Sequence, residues 1–178
     1  GMKLFSKETK TDKMKVFKEE QRFTQTWLIV LLAVSVIVPI TLIVNTYFKE
    51  NSNMSTNEFV LTILGILVSI SFVFFFKLTT RIDEVGIHYK FLPIHRNFKI
   101  IRWDEMESCE VRTYNAITEY GGWGFKGGFG KGTAFNVKGN IGIQIVLKSG
   151  KRILIGTQKE NDAKLILKRY KNKENEGI

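Results

Sequence analysis

The sequence predicts a membrane α-helical hairpin followed by an α+β domain, a small, partly closed antiparallel β-barrel plugged by a C-terminal helix. Three observations predict it. Two long uncharged runs lie only ten residues apart, the apolar period changes from helical to alternating at Thr79, and one amphipathic helical pattern follows the last alternating run. Short antiparallel strands followed by a single helix are the order expected of a barrel closed at one end by that helix.

Residues 1–26 carry seven Lys/Arg against four acidic groups, with Met14, Val16, Phe17 and Phe23 scattered among them. Two readings stand side by side: a short helix at the level of the lipid headgroups, or a solvated basic tail. Residues 27–48 hold no charge, and at ~1.5 Å per residue they span the ~30 Å core of a bilayer. Pro39 removes a backbone donor there, and Ser35 and Thr41 are expected to help satisfy the freed carbonyl. Trp27 opens the run where an interfacial aromatic belongs. A cleaved signal peptide fits poorly, because the run is too long and no small-x-small cleavage site follows it.

Residues 49–58 form a short Asn/Ser-rich connection with one basic and two acidic groups, and residues 59–76 form a second uncharged run. Gly65 and Ser69 have small-xxx-small spacing, which suits packing against the first helix or against a second copy of the chain, a homo-oligomer. Neither run holds an ionisable residue, which argues against a pump or transporter. Basic residues flank the spans and the connection is net acidic, so both termini are expected in the cytoplasm of a multi-pass protein. The single cysteine, Cys109, excludes an internal disulfide and fits a reducing compartment.

The domain is expected over residues 79–171, with a tail at 172–178. Ile87, Tyr89 and Phe91 alternate with His88 and Lys90, which places His88 on an outward face. Phe98–Trp103 and Ser108–Thr113 read as two further strands. Ile141, Ile143, Ile145 and Leu147 form the clearest strand, joined by a two-residue Ser149-Gly150 turn to a strand through Ile153 and Ile155. Thr157 to Glu160 has the pattern of a capping box, followed by Ala163, Ile166, Leu167 and Tyr170 at helical spacing.

Four segments in this order, RIDEVGIHYKF, IIRWDEMESCEVRTYN, EYGGWGFKGG and KGNIGIQIVLKSGKRILIGTQ, resemble the bacterial membrane-anchored proteins with a pleckstrin-homology-like domain. FKEEQRFTQTW before the first span is similar to their N-terminal signature. The resemblance implies a seven-strand barrel with a capping helix on a two-helix anchor in the bacterial inner membrane. It implies little about activity, because that fold hosts lipid, peptide and protein binding alike.

The departure from that pattern is a Gly-rich insert, Gly121 to Gly142, interleaved with aromatic and basic residues. Its Trp123, Phe125, Lys126, Phe129, Lys131 and Lys138 are the candidate partner- or headgroup-binding residues. One reading is a strand-loop-strand whose aromatics pack in the core; the other is a basic, aromatic-tipped docking loop. Trp123 is expected to be at least partly buried. No helix N-terminus follows to cradle phosphate, and His88 and His95 lack companions at metal-ligand spacing. No Ser/His/Asp or Cys/His arrangement can be assembled. Asp104, Glu105, Glu107 and Glu110 fit a strand boundary, and the dispersed positive charge fits no nucleic-acid motif. The expectation is therefore a non-enzymatic membrane protein without cofactor whose module binds a protein or peptide partner, the alternatives being an anionic lipid-headgroup reader or an accessory subunit of a membrane assembly.

Overall fold

The computed structural model describes residues 15–128 and 132–176 and divides into two compact units, residues 22–76 and a unit made of the remainder. In the first unit, helix α1 (Thr26–Tyr47) and helix α2 (Thr56–Ser71, continued as a 3-10 turn to Phe75) are both long and apolar enough to cross a membrane, with mean hydropathies of 2.9 and 2.4. Their large side chains are exposed along the whole length, which suits a lipid solvent.

Helix α2 starts three residues before its uncharged run because Ser55 and Glu58 form a reciprocal capping box: Ser55 N–H donates to the Glu58 carboxylate at 2.9 Å, and Glu58 N–H donates to Ser55 Oγ at 3.2 Å. The two helices meet near the connection, where Tyr47 stacks on Phe59 with ring centroids 4.4 Å apart and shares a 2.9 Å hydrogen bond with Thr56. Ser35 and Thr41 donate to the carbonyls of Leu32 and Ile37, so neither hydroxyl serves the Ser35 carbonyl that Pro39 leaves free. A Cβ on Gly65 would meet nothing within 4 Å, so this small-residue face is not turned onto α1.

The second unit contains two sheets. The first has the order β1-β2-β3-β4, from β1 (Phe17–Arg22), β2 (Lys77–Ile82), β3 (Gly86–Leu92) and β4 (Lys99–Arg102). The second has the order β5-β8-β9-β7-β6, from β5 (Met106–Thr113), β6 (Gly124–Gly128), β7 (Gly132–Asn136), β8 (Ile141–Leu147) and β9 (Arg152–Gly156). A short helix α3 (Ala116–Tyr120) precedes the β6–β7 hairpin, and helix α4 (Glu160–Glu176) ends the chain, packed on β5 and β8.

The periodic segments fold as their pattern requires. Ile87, Tyr89 and Phe91 face the core from β3, Ile143 and Ile145 from β8, Ile153 and Ile155 from β9, and Ala163, Ile166, Leu167 and Tyr170 from α4. The β8–β9 connection closes one residue wider than expected: Leu147 N–H donates to the Lys151 carbonyl at 2.9 Å, leaving Lys148, Ser149 and Gly150 as the loop.

Three expectations are overturned. Residues 17–22 form neither a headgroup helix nor a solvated tail; they are strand β1, paired to β2 across the intervening helical hairpin. Residues 1–14 of that segment lie outside the described residues. Second, the sheets do not close into a barrel, because β7 enters in parallel beside β9 and occupies the edge that closure would use. Third, Glu160 does not complete a capping box. Thr157 Oγ1 accepts from Lys159 N–H at 3.1 Å and donates at 2.6 Å to Glu19, whose carboxylate also accepts from Gln158 N–H at 2.8 Å. Glu160 pairs instead with Lys164 one turn on, at 2.6 Å.

Candidate functional site

Of the six candidate residues, Phe129 and Lys131 lie outside the described residues. The other four belong to the β6–β7 hairpin or its flanks, and the hairpin separates them. Phe125 is cross-strand partner to Phe135 and stacks on it at 5.2 Å with 28° between the rings, while Lys126 is opposite Ala134. Because successive strand residues face opposite sides, Phe125 and Lys126 point apart.

Trp123 packs with the second side. It rests against a buried cluster of Tyr114, Ala116, Tyr120, Ala134 and Leu154, and its indole N–H donates to the Gly139 carbonyl at 3.0 Å. It is therefore half-buried and hydrogen-bonded, whereas Phe125 is 47% exposed. Trp123 and Phe125 do not form one tip. Lys138 is also half-buried, and its carbonyl accepts from the Gln158 side chain at 2.8 Å.

The glycines of the hairpin serve close approach at one point in particular. A Cβ on Gly132, which has φ +93°, would lie 2.3 Å from the Arg152 carbonyl, so only glycine lets β7 begin against β9 there. Asn136, fully buried, fixes the other end by accepting from Gly124 N–H at 2.8 Å.

On its other face the hairpin completes an aromatic group. Phe135 is buried among Tyr89 at 4.9 Å, His95 at 5.2 Å, Phe91 at 6.2 Å and Phe125, and this group joins the second sheet to β3 and to the loop that follows it. Burial, followed by the charge of Lys99, pushes the His95 imidazole below its ordinary pKa and favours the neutral ring beside these aromatics.

Asp83, His88, Arg112 and Glu119, outside the hairpin, are engaged in structure. His88 is not free on an outward face: it is 3.0 Å from the Asp83 carboxylate, which also meets Arg81 at 3.0 Å and accepts from Val85 N–H. Burial raises the Asp83 pKa, but the hydrogen bonds from His88 and Val85 outweigh it and hold the carboxyl below its usual range. Arg112 grips Glu119 through both terminal nitrogens, at 3.3 and 2.8 Å, and donates twice to Gln144 Oε1, at 3.2 and 3.0 Å. That guanidinium lines an open depression of about 400 Å³ with Glu110, Gln144 and Arg152, yet its donors are consumed by Glu119 and Gln144. Residue patterns had pointed to neither the Arg112–Glu119 pair nor the Tyr114/Tyr120 cluster; Asn115, two residues after a strand and three before Thr118, was the available signal, since it caps α3 through Ile117 and Thr118 N–H.

Cys109 is buried on β5, and that burial pushes its thiol up to about 12, the character of a core residue and not of a nucleophile. Among the described residues no group of three His, Cys, Asp or Glu side chains is placed to hold a metal ion. No family model matches this chain, and no curated protein matches it.

Proposed function

We propose that the chain is a two-span membrane protein that presents a non-enzymatic, pleckstrin-homology-like interaction module on the cytoplasmic face of a bacterial inner membrane, where the module holds a protein or peptide partner. The observation that carries the reading is the pairing of β1 with β2. These strands flank the helical hairpin in sequence, and strands of one sheet cannot lie on opposite sides of a bilayer. If α1 and α2 span, they span as a hairpin with both ends on one side, and the basic flanks select the cytoplasmic side.

The fold order supports the likeness to pleckstrin-homology domains. Leaving out the β6–β7 insert, seven strands remain, arranged as four and three and followed by one helix. In this reading the membrane hairpin is itself an insertion between the first two strands. The reading of the module as a binding surface draws on the half-exposed Phe125 and the engaged state of every cluster described above. A headgroup reader built from Lys126, Lys131 and Lys138 is the weaker reading, since Lys126 and Lys138 are half-buried and Lys126 faces the side opposite to Phe125.

Topology is tested by thiol labelling of intact cells. Ser52→Cys should react with an impermeant maleimide from outside and Ser149→Cys only after lysis; the reverse result overturns the orientation. Partner class is tested by purifying the intact chain in mild detergent. A stoichiometric protein that accompanies the intact chain and is lost when residues 77–178 are removed supports the module reading, and co-purification of anionic lipid alone overturns it.

A further inference from the structure

Resting on the reading of α1 and α2 as membrane spans, we infer that the β3–β4 loop and the adjoining Phe125 form a rim that docks into the headgroup layer of an anionic bilayer. Register and chain connectivity define which end of the domain this is. Lys77, the first residue of β2, directly follows the apolar helical segment that ends at Phe76, and it pairs in register with Leu92, the last residue of β3. The loop of residues 93–98 therefore lies at the end of the first sheet from which the chain departs for the hairpin. Lys77 also meets Glu20 of β1 at 2.8 Å, so the other departing strand is at hand there too.

The side chains at this end have the composition of an interfacial surface. Ile94 and Phe98 are exposed in the loop, and Phe125 is exposed beside it, across the Phe135 ring that His95 also touches. Lys90 sits over the Phe98 ring at 4.9 Å, and Arg96 is exposed between Ile94 and Phe98. No acidic residue occurs from Val85 to Trp103 or from Tyr120 to Lys159, so the two stretches that meet at this rim bring cations and rings and no carboxylate. Glu20, a carboxylate at this same end, is held by Lys77, and apolar side chains interleaved with Lys90 and Arg96 are the chemistry that enters an acyl–headgroup boundary rich in anionic lipid. The chain supplies that surface itself, since three residues separate β1 from α1 and one separates the 3-10 turn from β2.

The test uses the full chain in vesicles of phosphatidylcholine, with or without phosphatidylglycerol, carrying acyl chains brominated to quench a bimane label. The label goes on Ile94→Cys or Phe98→Cys, with two references. Val34→Cys reports the first span. Ser149→Cys reports the far end of the domain, because Lys148 N–H bonds the Glu105 carbonyl and Leu147 pairs with Met106, beyond the Arg102 end of β4. Buried Cys109 does not compete for label. Expected are quenching at 34 in both lipids, quenching at 94 and 98 that strengthens with phosphatidylglycerol, and none at 149. Lys90→Gln with Arg96→Gln should lower the docked-to-undocked ratio in anionic vesicles by about 25-fold, a factor of about five for each cation near the surface. Labels at 94 and 98 as unquenched as that at 149, with 34 quenched, overturn the rim alone and leave a protein as its occupant. Quenching at 94 and 98 that ignores lipid charge overturns the anionic part. An unquenched label at 34 overturns the spanning reading and the rim with it.

Discussion

Strand β1 and the β6–β7 hairpin each form the outer edge of a sheet, and they are fixed there by opposite chemistry. Inward from β1 point Phe17, Glu19 and Gln21, so two of its three core-facing residues are polar. Glu19, only 5% exposed, takes the Thr157 hydroxyl and Gln158 N–H, while Gln21 donates to the Gly156 carbonyl at 2.7 Å. Lys159 and Tyr170 donate to the Lys18 and Lys15 carbonyls. These bonds join residues more than 130 positions apart, and each has one register in which it can form. The hairpin is held mainly by backbone pairing and ring contact around Phe135, with a single side-chain clamp from Asn136 to Gly124 N–H and glycines that offer no side chain to specify register. The first edge is a staple with a single setting, and the second is an edge with room to adapt.

The largest effect that this contrast predicts is loss of folding without β1. A fragment of residues 77–178 should show no cooperative melt by circular dichroism, because it exposes one edge of β2 and leaves Thr157 and Gln158 without Glu19. Joining residues 15–22 to Lys77 through a short Gly/Ser linker, with the helices omitted, should restore a cooperative transition. A cooperative melt of residues 77–178 at the temperature of the linked protein would reduce β1 to an accessory.

Next come two substitutions that weigh ring against clamp. Phe135→Ala removes a buried ring that four aromatic residues contact and should cost about 3–5 kcal/mol by denaturant melt of the linked protein. Glu19→Gln retains the shape of the side chain but loses charge-assisted acceptance, and should cost about 1–3 kcal/mol. If Glu19→Gln proves the costlier, the polar staple outweighs the ring contacts, and the hairpin is even more dispensable than the contrast implies.

This contrast also explains what the sequence could and could not convey. Strands β3, β8 and β9 and helix α4 were legible because apolar residues recur at the period of the element, and burial followed that period. Strand β1 was illegible because Glu19 and Gln21 stand where the period calls for apolar residues, and their partners are more than 130 positions away. The candidate residues of the insert are named as a group by composition alone, and the separation of Phe125 from Lys126 onto two faces was not legible, since alternation cannot be read through Gly124, Gly127 and Gly128. The parallel pairing of β7 with β9, which keeps the sheets from closing, depends on Gly132 approaching Arg152, a contact without sequence periodicity.

A smaller effect distinguishes the two aromatics of the insert. Trp123→Ala should cost about 2–4 kcal/mol, since the indole loses both its contact with the Tyr114/Tyr120 cluster and its hydrogen bond. Phe125→Ala, half-exposed and stacked on one ring, should cost about 1 kcal/mol. Equal costs would make the hairpin a uniform part of the core.

The smallest expected effect is on acidification, and it should reach the hairpin before the staple. His95, against Phe135, has a folded pKa depressed by burial and then by Lys99. A base whose folded pKa is depressed contributes stability that is complete above its unfolded pKa, near ~6.5, and is lost as pH falls through the folded value. Asp83 is depressed too, from a carboxyl starting near 3.8, so its contribution persists to much lower pH. Between pH 7 and 5, amide exchange should therefore quicken in β3, in the loop after it and in β6–β7, while β1 and the start of α4 retain their protection. His95→Gln, which cannot titrate, should flatten this pH dependence in the hairpin without altering exchange in β1. If β1 amides lose protection in step with those of β7, the two edges unfold as one unit, and the distinction between a fixed edge and an adaptable one fails.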